Sequence, residues 1–195
     1  MSLEHAILGF LNYGPSTGYD LKKIFDQSVN HFWLADQSQI YRTLSKLAEK
    51  DLATVEVVHQ DDAPDRKVYH ITEEGRQELL VWLTSGTPPP DVRSSELIQV
   101  FFAGQLSQDQ VLEMFRRGLK KYRERLAVYY QIREESLRAH SHGQATGKQA
   151  RDVFFWQLTL ESGIVTTEAL ASWIESVIDR LETEDYTALR INGTP

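Results

Sequence analysis

Apolar residues recur at intervals of three and four over residues 3–50, which is the spacing of one face of an α-helix. This periodicity predicts three short amphipathic helices. Gly14 and Pro15 end the first helix, and Ser16 or Thr17 can cap the second. The apolar face of the second helix is assigned to Tyr19, Leu21, Ile24 and Phe25.

The third helix begins at Asp36, which forms a D-x-x-Q pattern with Gln39 that resembles a capping box. Its predicted buried face consists of Ile40, Leu44 and Leu47. The opposite face is polar and partly basic, and it carries groups that can hydrogen-bond to base edges or phosphates. The first positions on that face are Ser38, Gln39 and Arg42, with Lys46 beside them.

Two short β-strands are predicted next. Residues 53–59 are rich in β-branched side chains, with Val55 and Val57 on one face, and residues 67–71 return after an acidic loop. Thr72 then caps a helix that opens with two glutamates. The buried residues of this helix are assigned to Leu79, Leu80, Trp82 and Leu83. A helix for the major groove with a hairpin beside it is the pattern of a winged helix-turn-helix.

Residues 87–90 (Thr-Pro-Pro-Pro) cannot continue a helix, and they predict a stiff linker between domains at residues 1–86 and 91–195. The second domain is predicted to be helical. Ser107 and Gln110 form a capping box that starts one long helix, and residues 139–147 are predicted as a loop. The last helix starts near Lys148, with its apolar stripe assigned to Phe154, Trp156, Leu160, Ile164, Leu170, Trp173, Val177 and Leu181.

These two long helices, each of roughly thirty residues, exceed the mean helix length of about eleven or twelve. They carry more apolar surface than a single intervening short helix can cover. We therefore expect a second, identical chain to cover the rest. The expected fold class is therefore mainly α: an N-terminal winged helix-turn-helix with a two-stranded β wing, followed by a helical C-terminal dimerisation domain.

Composition narrows the function. The chain has no cysteine, which excludes disulfides and thiolate metal sites, and its early apolar run is too short to span a membrane. We therefore expect a cytoplasmic protein without membrane partners. The net charge is -7, and residues 1–87 hold 8 Lys and Arg against 13 Asp and Glu, so DNA affinity must come from a local cluster. That cluster is Lys22, Lys23, Arg42, Lys46, Arg66 and Lys67.

Three motifs, ILGFLNYGPSTGYDLKKIF, SQIYRTLSKLAEKDLATVE and DRKVYHITEEGRQEL, resemble the PadR family of bacterial transcriptional regulators. The helical C-terminal region looks like the larger branch related to a virulence-gene activator. The resemblance implies a homodimer on a palindromic operator of double-stranded DNA. It also implies that Tyr19 and Tyr41 lie near the DNA backbone and that Arg66 and Lys67 lie on the wing tip. Many members repress transcription and release DNA on binding a small aromatic ligand, whereas others act without a known ligand.

The expected DNA contacts combine the outer helix face, the start of the second helix and the wing. An ordinary solvated helix face is the alternative for each. Nearby wing acids, Asp61, Asp62 and Asp65, depart from the pattern because they repel phosphate. The full set is Tyr19, Lys22, Lys23, Ser38, Gln39, Tyr41, Arg42, Thr43, Lys46, Arg66 and Lys67.

The basic cluster at residues 116–125 is interpreted as a solvated face paired with Glu113, Glu124 or acids of the last helix, in preference to a second nucleic-acid patch. Five aromatic residues are candidates for a pocket that binds an aromatic ligand, although packing in a core or dimer seam is the preferred interpretation. They are Tyr122, Tyr129, Phe154, Trp156 and Trp173.

His140 and His142 lack a companion carboxylate, so no metal site is predicted. No catalytic motif and no nucleotide-binding loop are found in the sequence, and we expect neither an enzyme nor a cofactor. The predicted function is a sequence-specific, homodimeric DNA-binding regulator, most simply a repressor that responds to a small molecule or partner. The alternatives are a winged-helix protein-interaction module and a ligand-binding helical dimer.

Overall fold

The chain divides into two compact units, unit 1 (Met1–Pro90) and unit 2 (Asp91–Pro195). A computed structural model describes residues 2–30, 32–59, 65–86, 94–141 and 147–186. The predicted linker at residues 87–90 and the wing acids Asp61 and Asp62 lie outside these residues. Each unit is described by itself.

The described residues of unit 1 form four helices and a small antiparallel sheet. The helices are α1 (Ser2–Tyr13), α2 (Gly18–Ser28), α3 (Gln37–Glu49) and α4 (Glu73–Thr84). The strands are β1 (Ser16–Thr17), β2 (Ala53–Val58) and β3 (Arg66–Ile71), in the order β1-β3-β2. The β2–β3 hairpin is in register from Ala53 opposite Ile71 to Val58 opposite Arg66. The two-residue strand β1 was not predicted, because its pairing of Ser16 with Tyr69 is made across the chain and leaves no local pattern.

Local capping explains where three of these helices begin. The backbone N–H of Gln39 donates to Asp36 Oδ1 at 2.7 Å, and the backbone N–H of Asp36 donates to Gln39 Oε1 at 3.1 Å. This reciprocal pair confirms the predicted capping box at the start of α3. Thr17 and Thr72 cap α2 and α4 in the same way, each hydroxyl oxygen accepting from a backbone N–H three residues later.

The core of unit 1 is closed within one chain. Helices α1, α2 and α3 contribute side chains that are completely buried, which confirms the predicted inner face of α3. The residues with no exposed surface are Ile7, Leu8, Leu21, Ile40, Leu44 and Leu47.

Three predicted core residues of unit 1 lie on its surface. Tyr19 is 66% exposed, since the buried face of α2 is formed by Gly18, Leu21 and Phe25. On α4 only one face packs inward: Leu79 is buried and Trp82 stacks on His5 with ring centroids 4.6 Å apart. Leu80 points away from that face and Leu83 lies in the last turn, so both are mostly exposed.

Unit 2 is helical throughout its described part. It contains α5 (Ser95–Phe102), a 3₁₀ turn (Ala103–Gln105), α6 (Gln108–Ser141) and α7 (Lys148–Glu182). The capping box of Ser107 and Gln110 is confirmed, with the Ser107 N–H donating to Gln110 Oε1 at 3.0 Å. Helix α6 continues to Ser141 instead of ending in the predicted loop at residue 139, because no glycine or proline precedes Gly143 there.

The packing face of α7 differs in part from the prediction. Leu160 and Ile164 are buried as expected, but Phe154 and Trp156 are 55% and 54% exposed. Helix α7 carries apolar residues around much of its circumference, and the face against α6 uses smaller side chains than the predicted stripe. The buried positions are Val153, Leu160, Ile164, Thr167, Ala171, Ile174 and Ile178.

The basic face of α6 is paired with acids, as predicted. Arg116 and Arg123 reach across to Glu182 and Glu175 of α7 at 2.6 and 2.8 Å. Arg117 pairs with Glu113 of its own helix at 3.4 Å, and Lys120 pairs with Glu124 at 3.9 Å. Four of the six cations in this cluster are therefore salt-bridged, whereas Lys121 and Arg125 have no ion pair among the described residues.

Candidate nucleic-acid interface

The outer face of α3 presents the residues expected to meet base edges. Ser38 and Arg42 are exposed, and the Arg42 Nε–H donates to the Ser38 backbone carbonyl at 3.3 Å. No described carboxylate pairs with Arg42, so its remaining guanidinium N–H groups are available to an acceptor. The Gln39 side-chain oxygen is used by the capping box, which leaves its amide N–H groups to donate. Thr43 is half-buried beside them.

The end of α3 is held by an acid of α1. Glu4 accepts from Lys46 Nζ at 2.7 Å and from Lys50 Nζ at 3.0 Å, one lysine on each carboxylate oxygen. The hydrogen bond from Lys46 is the main reason that the pKa of Glu4 lies below its usual value. Lys46, which is predicted to contact DNA, is thus paired with a carboxylate of unit 1 in this structure.

The two lysines near the start of α2 differ in their pairing. Lys22 forms a close ion pair with Asp26, one turn along the helix. Lys23 is exposed and has no ion pair among the described residues.

On the wing, Arg66 and Lys67 begin β3, opposite Val58 and Val57. Arg66 Nη2 lies 3.1 Å from Asp20 Oδ2 of α2, so this guanidinium is directed back to the body of unit 1. Lys67 is exposed and unpaired among the described residues. The wing acid Asp65 lies 3.0 Å from His59 across the hairpin.

Asp20 joins the wing to the helix-turn-helix. Besides Arg66, its carboxylate accepts from the Thr17 hydroxyl at 2.7 Å. These bonds, the one from Thr17 first, lower the pKa of Asp20. Neither Asp20 nor Glu4 was among the predicted site residues, because their partners lie about forty or more positions away along the chain.

The two tyrosines are placed differently. Tyr19 is mostly exposed, and Tyr41 on α3 is 40% exposed. The Tyr41 ring packs on the start of α2, where a Cβ on Gly18 would lie 2.6 Å from Tyr41 Cε1. A glycine at this position lets the two helices approach closely.

An open groove of about 330 Å³ runs beside the outer face of α3. Trp33 is 37% exposed and forms part of the groove wall. Its lining residues are Leu3, Glu4, Trp33, Leu34, Gln39, Arg42, Thr43 and Lys46.

The five aromatic residues suggested for a ligand pocket occupy different surroundings within unit 2. Tyr122 and Trp173 border one apolar cluster between α6 and α7, and Tyr129 is buried in another. Phe154 and Trp156 lie on the exposed side of α7. The Tyr122 hydroxyl donates to Glu96 Oε2 at 2.6 Å, and burial together with this carboxylate raises the pKa of Tyr122 to about 12.

Metal-ligating side chains are not gathered in the part of the chain that the structure describes. His142 and the His140 side chain lie outside that part. Among the described helices, none has the length and apolar content needed to cross a membrane.

Comparison with known proteins identifies the family. The model of the transcriptional regulator PadR-like family matches residues 7–80, and the virulence activator alpha C-terminal model matches residues 92–182. A probable transcriptional regulator of Mycobacterium tuberculosis is 30% identical over 194 residues, covering 93% of this chain and 98% of that protein. The chain belongs to the PadR-like family of transcriptional regulators.

Family membership makes the chain a non-enzymatic, DNA-binding transcriptional regulator with a winged helix-turn-helix, and it disfavours the protein-interaction module. The negative transcriptional regulator PadR of Bacillus subtilis is 29% identical over 181 residues, covering 92% of this chain and 97% of that protein.

Solved structures of relatives show the same fold. Bacillus subtilis PadR in complex with operator DNA superposes with a TM-score of 0.75 at 27% identity, over 93% of this chain and 99% of that chain. The same protein in complex with p-coumaric acid gives a TM-score of 0.74 at 28% identity, over 92% of this chain and 95% of that chain. The Vibrio cholerae virulence activator AphA gives a TM-score of 0.70 at 28% identity, over 93% of this chain and 99% of that chain.

Proposed function

We propose that two copies of this chain bind a palindromic operator in a sequence-specific manner and repress transcription from it. The observation that carries this proposal is the outer face of α3, where Ser38, Gln39 and Arg42 stand exposed and Arg42 has no carboxylate partner among the described residues. Arginine at the start of a recognition helix can make bidentate bonds to guanine in the major groove, and the amide N–H groups of Gln39 can donate to a base acceptor.

The remaining DNA contacts are proposed for the residues around this face. Lys23 and Lys67 are exposed and have no ion pair among the described residues, and we expect them to contact phosphates beside the bases that α3 reads. Lys22, Lys46 and Arg66 take part only after exchanging their own carboxylate for a phosphate. Tyr19, Tyr41 and Thr43 complete the proposed set, with Tyr41 held on Gly18.

Dimerisation is supported by apolar surface that unit 2 leaves uncovered. Helix α5, whose residues are all described, has no buried residue. Large contiguous apolar patches of this kind mark protein interfaces. Its exposed side chains are Leu97 (58%), Ile98 (62%), Phe101 (81%) and Phe102 (55%).

Repression and control by an aromatic effector are proposed from the Bacillus subtilis relative, which is a negative regulator with a structure in complex with p-coumaric acid. Within unit 2, Phe154 and Trp156 are the most accessible of the five aromatic residues suggested for such a ligand. Quenching of tryptophan fluorescence by p-coumaric acid, together with release of bound operator, is the expected result. Loss of quenching in Trp156→Phe would assign it to that residue.

A gel-shift titration on DNA from the promoter region of the chain's own gene tests operator recognition. The expected result is binding at least about a thousandfold tighter than to random DNA of the same length. Equal affinity for the two DNAs contradicts sequence-specific binding. A reporter joined to the bound promoter then distinguishes repression from activation.

A further inference from the structure

The cations of unit 1 fall into two classes that the sequence does not distinguish. Lys22, Lys46 and Arg66 are each paired with a carboxylate of unit 1. Lys23 and Lys67 have no such partner among the described residues, and Arg42 is bonded only to a backbone carbonyl. Half of the positive charge expected to face DNA is thus already neutralised in the protein.

We propose that Glu4 and Asp20 are specificity-determining residues that neutralise flanking cations of the DNA face, so that charge alone does not hold non-operator DNA. Specific base contacts from Arg42 and Ser38 must then supply the rest of the affinity. The inference rests on the proposed function, since it concerns the same DNA face.

Glu4 is built for this role by its position. Its side chain is only 16% exposed, and it holds Lys46 and Lys50 with one carboxylate oxygen each, at 2.7 and 3.0 Å. It also lines the groove beside the outer face of α3. A phosphate that approaches the end of α3 therefore competes with a carboxylate that two lysines already share.

Asp20 acts at the other edge of the same face. It binds Arg66 at 3.1 Å, and it is itself held by the Thr17 hydroxyl at 2.7 Å. Because Thr17 caps α2, the carboxylate is fixed to the helix-turn-helix and restrains the first residue of β3. The wing arginine is thereby kept from phosphate until a specific complex forms.

The physical consequence is a change in the salt dependence of binding. Each phosphate neutralised by a protein cation contributes about -0.9 to the slope of log K against log salt concentration. Releasing Lys46 and Lys50 from Glu4 should add up to two such contacts on any duplex. Non-operator affinity should then rise more than operator affinity, and discrimination should fall.

The test measures binding of the full chain to a random duplex and to the promoter duplex, over a series of salt concentrations. For Glu4→Gln we expect non-operator affinity to rise roughly three- to tenfold and the non-operator salt slope to steepen by about one to two. Asp20→Asn should steepen the slope by about one, through Arg66. The amide of each variant retains a hydrogen-bonding oxygen, and thermal unfolding checks that the fold is kept.

Glu49→Gln is the matched control. Glu49 is an exposed glutamate on α3 itself, it has no ion pair among the described residues, and its substitution changes the net charge by the same amount. Glu4→Asp keeps the charge but shortens the side chain by one methylene, so it should raise non-operator affinity less than Glu4→Gln. A Glu49→Gln effect as large as that of Glu4→Gln would overturn the inference, because overall charge would then explain it.

The inference also fails if Glu4→Gln leaves both the non-operator affinity and its salt slope unchanged. That outcome is separate from failure of the proposed function, which appears as equal affinity of the natural chain for promoter and random DNA. The non-operator measurement needs no operator, so it decides the role of Glu4 in either case.

Discussion

The two units of this chain bury their apolar residues to different extents. Unit 1 encloses six aliphatic side chains that have no exposed surface, from Ile7 to Leu47. Among the described residues of unit 2, the least exposed apolar side chain is Ile174 at 4%, and α5 contains no buried residue. One chain thus completes the core of the winged unit but leaves the helical unit with apolar surface to cover. This difference supports the proposal that unit 2, and not unit 1, associates with a second copy of the chain.

A cavity in the core of unit 1 should have the largest effect, because this core is fully enclosed within one chain. Leu44 of α3 is 0% exposed, so Leu44→Ala should lower the free energy of unfolding by about 2–5 kcal/mol. Leu80→Ala is the control, since Leu80 is 59% exposed and its loss should change stability by no more than about 0.5 kcal/mol. Chemical denaturation followed by circular dichroism measures both. Equal losses would mean that the two sites are packed alike.

A charge placed on α5 tests whether the uncovered apolar surface of unit 2 forms a dimer interface. Phe101 is 81% exposed in one chain, so Phe101→Glu should leave the folded chain intact and weaken the dimer by at least about 2 kcal/mol, a factor of roughly thirty. Sedimentation equilibrium measures the dissociation constant. Gln77→Glu adds the same charge to an exposed position of α4 and should leave it unchanged. A Phe101→Glu chain that dimerises normally would remove α5 from the interface.

One arginine from each unit can be replaced to test which helix binds DNA. Arg42 has no carboxylate partner in the part of the chain that the structure describes, whereas Arg117 pairs with Glu113 on α6. Arg42→Ala should weaken operator binding by about 1–3 kcal/mol and relax discrimination at the base that it contacts. Arg117→Ala should have little effect. Fluorescence anisotropy with labelled operator measures both, and similar losses would contradict the assignment of DNA binding to α3.

The smallest expected effect concerns how α5 is attached to α6. Burial, together with the hydrogen bond to Glu96, raises the pKa of Tyr122 to about 12 from its ordinary value of 10.0. The folded state therefore favours the protonated phenol, so its stabilising contribution is present below about pH 10 and is lost as pH rises through about 12.

Absorbance titration of tyrosinate, taken as the difference between the natural chain and Tyr122→Phe, should show this midpoint. Glu96→Gln should move the midpoint down towards the ordinary value, because the carboxylate contributes to the shift. A difference curve already centred near pH 10.0 would show that the contact is not formed in solution.

Features that depend on neighbouring residues could be predicted from the sequence. The capping boxes of Asp36 with Gln39 and of Ser107 with Gln110 each involve residues three apart, and both form as expected. The inner face of α3 follows from helical periodicity alone. The sequence also predicted that the basic face of α6 pairs with acids, because charged residues three and four positions apart lie on one helix face. It did not identify the individual partners on α7.

Features that depend on tertiary packing could not be predicted. Glu4 and Lys46 are far apart in the chain, and nothing in their local sequences distinguishes a paired lysine from a free one such as Lys67. On α7, apolar residues occur on more than one face, and periodicity cannot decide which face meets α6 within the same chain. The exposed position of Phe154 and Trp156 was missed for this reason.

The central claim is that two chains, joined through unit 2, place two winged units on one palindromic operator. Titration of a promoter-derived duplex in the analytical ultracentrifuge, with each half-site intact or one scrambled, tests it most directly. We predict two chains for each intact duplex and at least about a hundredfold weaker binding when one half-site is scrambled, since half of the base contacts are lost. A single chain on each duplex, or equal affinity for the intact and scrambled duplexes, would contradict it.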